Sequence, residues 1–141
     1  AVRAVREHSL GQLRERQQRH GAIDVTDLLL AAGRGACQVI NHPGNAVLSG
    51  LARRVLEAGG VDGVVAEPDR ILLNSVHAPV LPEVLDALGV GGEGRGGWTV
   101  EGRDVSDEEV QAAQLRWYAE HPGVAEAGLR RHADVARLLA R

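Results

Sequence analysis

Apolar residues along this chain fall into blocks with helical spacing, separated by short apolar runs and by glycine. Over 2–20, Val2, Val5, Leu10 and Leu13 recur among Arg, Glu and Gln, which predicts a surface helix with a wide polar face and a stop at Gly21. Residues 22–25 read as a short strand, with Asp24 or Thr26 able to cap a helix over 27–32 that Gly33 ends. Residues 37–40 form a short apolar run, read as a buried strand that delivers Asn41-His42-Pro43-Gly44-Asn45 onto the start of the best-defined helix. That helix puts Val47, Leu48, Leu51, Val55 and Ala58 on one face and Arg53, Arg54 and Glu57 largely outside, and it stops at Gly59-Gly60. Pro43 fits just inside its start, where a missing N–H costs nothing.

The next stretch, 61–69, reads as a loop or edge strand. Residues 70–74 are a third candidate strand, leading through Ser75-Val76-His77-Ala78-Pro79 into a helix over 82–88. The glycine-rich run 89–97 predicts a flexible loop or a boundary between two parts. Beyond it, 98–100 and 101–103 suggest an extended piece with a turn. Ser106 and Glu109 have the spacing of a capping box opening a helix to about 120, with Val110, Ala113, Trp117 and Tyr118 along its apolar side. His121-Pro122-Gly123 breaks that helix, and 124–141 reads as one final helix through Leu129, Val135, Leu138 and Leu139. The fold expected is α/β, one domain over 1–141, with short parallel strands alternating with helices and a helical C-terminal tail.

Composition narrows the classes of function. The 141 residues suffice for one core, which Leu, Val, Ile and Ala must fill because aromatics are almost absent. Net charge is −3 and the basic residues are dispersed, so no footprint for nucleic acid is seen. All basic residues are Arg, which excludes lysine Schiff-base chemistry in this chain. Cys37 is the single cysteine, so there is no disulfide framework, and no apolar run approaches the ~20 residues of a membrane span. A cytoplasmic protein is the expectation. The start Ala1-Val2-Arg3 and the absence of Met suggest the C-terminal part of a longer protein.

His42 is the first candidate for chemistry. An imidazole near a helix N-terminus is biased to its neutral form, the form a general base needs, and Asn41 and Asn45 flank it as orienting groups or oxyanion donors. The plainer alternative is that Asn41 caps, Pro43 starts the helix and His42 fills a turn. His-Pro-Gly occurs again at 121–123, so the tripeptide alone is unspecific; the preceding apolar run and the two asparagines distinguish the first copy. Cys37 reads as a structural thiol, since an extended run to His42 would send the two side chains to opposite faces. His77 and Asn74 follow the third strand, where α/β proteins bind ligands, and are candidate substrate-binding residues, with an ordinary loop histidine as the alternative. Ser75 lacks a nucleophile-elbow setting, and Ser49 reads as packing. No metal site is assigned, since the six histidines show no zinc-type spacing, and no phosphate-binding glycine motif is present. Trp117 and Tyr118 read as core, while Trp98 lies on no evident apolar face.

Asn41-His42-Pro43 leading into a leucine-rich helix, the Pro79-Val80-Leu81-Pro82 segment and the capped helix ending in Trp117-Tyr118 together resemble the polysaccharide-biosynthesis acetyltransferase family of the WcbI type. The resemblance implies an α/β enzyme that binds coenzyme A and transfers an acetyl group from acetyl-CoA to a sugar hydroxyl in capsule or related polysaccharide synthesis. His42 matches the family's histidine and would act as base or position the acceptor. The family's Gly-Asn-Cys-Gln segment is expected upstream, and Ala36-Cys37-Gln38 is not equated with it. Two other readings stand beside this one: a non-catalytic α/β interaction domain with a structural His-Pro loop, and an esterase-like hydrolase fragment.

Overall fold

A computed structural model describes residues 1–140. Its elements run α1 (Val2–His20), α2 (Thr26–Ala32), a single 3-10 turn (Gly33–Gly35), β1 (Cys37–Val39), β2 (His42–Pro43), α3 (Asn45–Ala58), β3 (Val76–His77), α4 (Pro82–Leu88), β4 (Trp98–Val100), β5 (Arg103–Val105), α5 (Asp107–Glu120), α6 (Val124–Arg131) and α7 (Ala133–Leu139). Helix and sheet are mixed and the C-terminal part is helical, as expected, but the strands are antiparallel: β1 pairs with β2, and β3-β4-β5 form a second small sheet. The reason is local. Ile40 and Asn41 turn the chain straight back on itself, and a two-residue reversal can join only antiparallel strands.

Four other expectations are corrected. Residues 22–25 are not a strand: Ala22 ends α1 through its N–H to Gln17 O, and Val25 N–H is taken by the Gln17 side chain, so no ladder partner is needed. The expected strand at 70–74 is a turn, and the extended residues come two positions later, at β3. The final helix is two, α6 and α7, broken at His132, which lets α7 fold back onto α1. Trp117 and Tyr118 are 47% and 45% exposed; Trp117 stacks on the His121 ring at 4.3 Å instead of entering a core.

The core lies where α2 packs on α3 and α1 packs on α4. Val47 and Leu85 are its buried apolar side chains. A polar clamp beside it closes the α1–α2 bend: Gln17 donates to Asp24 Oδ1 at 2.9 Å and to Thr26 Oγ1 at 3.1 Å, and accepts from Val25 N–H. Gly50 lets α3 approach α2, because a Cβ there would meet Leu28 Cδ2 at 2.7 Å. Arg54 on α3 holds Asp27 through both carboxylate oxygens.

Candidate functional site

The first half of the site is the β1–β2 hairpin. Val39 stands opposite His42 and Cys37 opposite Pro43, with an irregularity between them. Gly44 N–H then donates to Ala36 O at 2.9 Å, pressing the chain against the 3-10 turn so tightly that a Cβ on Gly44 would stand 2.0 Å from Gly35 O. Only glycine fits. Helix α3 therefore starts at Asn45 with Gly44 as its cap, not at Pro43. His42 sits on β2, three residues ahead of the helix. Its Nδ1 is buried without a hydrogen-bond partner, and Asn41 is exposed at the turn.

Asn45 has a different environment. Its side chain donates to Arg70 O at 2.8 Å and accepts from Leu72 N–H at 2.9 Å, pinning the 70–72 segment to the first turn of α3. Both ends of the amide are thus engaged, while the backbone N–H groups of the first helical turn keep the direction and partial charge of a helix start.

The second half lies on the other side of β1. Ala78 N–H donates to Gln38 O at 3.0 Å, tying the end of β3 to β1. Arg95, from the glycine-rich run, locks this junction: Nε donates to Ala78 O at 2.6 Å, and Nη1 donates to Gln38 Oε1 at 3.2 Å and to His77 Nδ1 at 3.1 Å. A guanidinium has no acceptor, so His77 Nδ1 must accept and the ring proton sits on Nε2, which donates to Asn74 Oδ1 at 2.7 Å. Partial burial, with a smaller contribution from the Arg95 charge, holds the His77 pKa below its usual value. Arg95 is itself shifted down by burial and by the Arg34 charge. Asn74 is exposed, leaving its Nδ2 able to donate outward.

The structure thus joins His77 to Asn74 directly and sets His42 and His77 on opposite sides of the same three-residue strand. Arg95 and Gln38 complete the arrangement and were missed from the sequence. The one available signal was that Arg95 is the single basic residue in the run 89–97. The run is also less free than its glycines suggest, because Val80 and Arg95 exchange backbone hydrogen bonds at 2.7 and 2.9 Å. Cys37 is partly buried, which pushes its thiol pKa up and keeps it protonated. Ser49, read as packing, is buried and donates to Glu67 at 3.1 Å. Among the described residues no cluster of His, Cys, Asp and Glu has the arrangement of a metal site, and no helix is long and apolar enough to cross a membrane.

No curated protein and no solved structure matches this chain. One family does: residues 1–64, the stretch from α1 through α3 that contains the β1–β2 hairpin and His42, match the family described as the polysaccharide biosynthesis enzyme WcbI, the same family that the sequence resembles.

Proposed function

We propose that this chain transfers an acetyl group from acetyl-CoA to a sugar hydroxyl during cytoplasmic assembly of a capsule-type polysaccharide, with His42 as the general base. The observation that carries the proposal is the family match, since it covers the segment holding Asn41, His42 and Asn45 and names a polysaccharide biosynthesis enzyme. The hairpin geometry adds to it. With Nδ1 turned into the protein, Nε2 is the nitrogen through which the ring can meet a ligand.

In this mechanism Nε2 takes the proton from the acceptor hydroxyl as its oxygen attacks the thioester carbonyl. The tetrahedral intermediate collapses with loss of the C–S bond, and the departing thiolate takes the proton back from the imidazolium, giving the sugar ester and free coenzyme A. The negative charge that develops on the carbonyl oxygen needs preorganised donors. Gly44 N–H is already bonded to Ala36 O and the Asn45 amide to 70–72, which leaves the exposed Asn41 side chain and the first backbone N–H groups of α3. Asn74, oriented through His77 and Arg95, would donate Nδ2 to the acceptor sugar.

The test is acetyl transfer by His42→Ala, with wild-type far-UV dichroism and melting temperature as the folding control. Loss of about 100-fold or more in kcat is expected, the contribution of a positioned base. Undiminished transfer removes His42 from the mechanism.

A further inference from the structure

The junction around Arg95 brings two guanidiniums to the glycine-rich run 89–97 without an ion pair. Arg95 is partly buried, and each acceptor it meets, Ala78 O, Gln38 Oε1, Gln38 O and His77 Nδ1, is uncharged. Arg34 reaches the same run from the 3-10 turn. Its Nη1 donates to Glu93 O at 3.2 Å, and its stem lies so close over Gly92 that a Cβ there would stand 2.7 Å from Arg34 Cδ. Neither arginine forms an ion pair among the described residues, and the charge of Arg34 acts on Arg95 strongly enough to help hold its pKa down.

A partly buried charge without a counter-ion carries a desolvation cost that neutral acceptors offset only in part, and a second cation beside it adds to that cost. A bound anion would lower both. Arg34 has the donors for it: the residue is exposed, and its Nε and Nη2 make no hydrogen bond among the described residues. That leaves free one edge of the fork, the edge that pairs two-pronged with a planar carboxylate. Charge sets the valence. Glu93 is the sole acid of the run 89–97, and against two guanidiniums it leaves a single positive charge, which a carboxylate neutralises and a phosphate dianion overshoots. From Arg95 the contacts continue through His77 to Asn74, the residue with an outward amide. We infer that Arg34 and Arg95 bind the carboxylate of an acidic sugar, a hexuronate-type acceptor whose hydroxyls face Asn74. The inference rests on the reading of Asn74 as an acceptor-binding residue for the sugar, and on the two arginines alone for the carboxylate.

Glucuronate, glucose and inorganic phosphate, each titrated into the wild-type chain and into Arg34→Gln and followed by amide NMR, test it. Arg34 is exposed and holds a single backbone carbonyl, so folding is preserved, and the melting temperature checks it. Glucuronate should bind roughly tenfold tighter than glucose, weaken as salt rises and lose about tenfold in Arg34→Gln, the effect of losing a hydrogen bond to a charged group. The shifted amides should include Asn74 and His77, and His42→Ala should bind glucuronate as the wild type does. In acetyl transfer, Arg34→Gln should raise KM for an acidic acceptor about tenfold and leave KM for a neutral one unchanged. Equal binding of glucuronate and glucose, unchanged affinity in Arg34→Gln, or no binding makes Arg95 a structural clamp and overturns the inference; tighter binding of phosphate than of glucuronate overturns the carboxylate. Arginine-dependent binding of glucuronate in a protein whose His42→Ala variant transfers at the wild-type rate keeps this site and removes the base, so the two readings fail separately.

Discussion

The segment from α1 to α3 and the segment from α5 to α7 obey the same local rules, yet only the first is seated in a packed interior. Helix α3 buries Val47, Ser49 and Gly50, whereas α5 buries no residue and leaves Leu115 61% exposed. Both helices have caps and glycine or proline boundaries, so capping and propensity do not explain the difference. What separates them is close approach. In the first segment Gly44 touches the backbone of Gly35 and Gly50 touches Leu28; around Gly123 and Gly128 an added Cβ would meet nothing within 4 Å. Helix formation is local, but burial needs neighbours that fit.

Gly44→Ala should break this contrast most severely. The carbonyl it would strike at 2.0 Å belongs to the 3-10 turn, and neither backbone can yield without opening the β1–β2 hairpin. Destabilisation of about 3 kcal/mol or more is expected, read from the urea midpoint. A change within about 0.5 kcal/mol, typical of open surface sites, would mean that the hairpin and the 3-10 turn are not in contact.

Polar groups sharpen the same comparison. Gln17→Leu leaves Val25 N–H and the Thr26 hydroxyl without their partner in a buried setting and should cost about 1–3 kcal/mol. Ser106→Ala removes a capping box that is exposed to water and should cost about 1 kcal/mol. Equal losses at the two sites, measured by chemical denaturation, would show that burial does not separate the regions.

A paired glycine scan gives opposite signs. Gly50→Ala pushes a methyl against Leu28 and should destabilise by about 1–2 kcal/mol, limited because leucine's Cδ atoms are the movable end of that side chain. Gly128→Ala, inside α6 and facing open space, should stabilise that helix by up to about 1 kcal/mol. Thermal melts of the two variants moving the same way would contradict the packing difference.

These contrasts also show what the sequence could reveal. The boundaries of α1 and α4, the end of α3 at Gly59, the stop at Gly21 and the Ser106–Glu109 box depend on residues within one helical turn of each other and were legible. The extended runs at 37–39 and 98–100 were legible too, but the pairing was not: β3 is two residues long and meets β4 only across α4 and the glycine-rich run. Arg95 is the clearest case: it binds Gln38, 57 residues away, and His77, 18 away, and no local pattern reports such pairs. His42 and the His77–Asn74 pair were found because histidine beside asparagine stands out in a loop, but their placement on either side of β1 follows only from tertiary hydrogen bonds. The apolar stripe ending in Trp117 and Tyr118 predicted burial and failed, since α5 buries none of its residues.

The smallest effect expected concerns pH, and it contrasts two arginine–carboxylate pairs. Arg54 binds both oxygens of Asp27 and, chiefly through those hydrogen bonds, holds its pKa down from 3.8 to about 2. A carboxyl whose folded pKa is depressed stabilises the fold fully above its unfolded value and loses that contribution as pH falls through the folded one. For Asp27 the window therefore runs from 3.8 down to about 2. Arg54→Leu should return the Asp27 titration towards 3.8 and remove its share of the acid sensitivity in that window, followed by the carboxyl carbon shift in NMR. Arg103 lies 3.2 Å from Glu109 in the second region, but the larger cause of the Glu109 shift is the backbone N–H of Ser106. Arg103→Leu should accordingly leave most of the Glu109 depression in place. If both carboxyls instead moved by the same amount, the tertiary clasp of α3 on α2 would be no more than another exposed ion pair, and the distinction between a packed first segment and an uncovered second one would lose its electrostatic support.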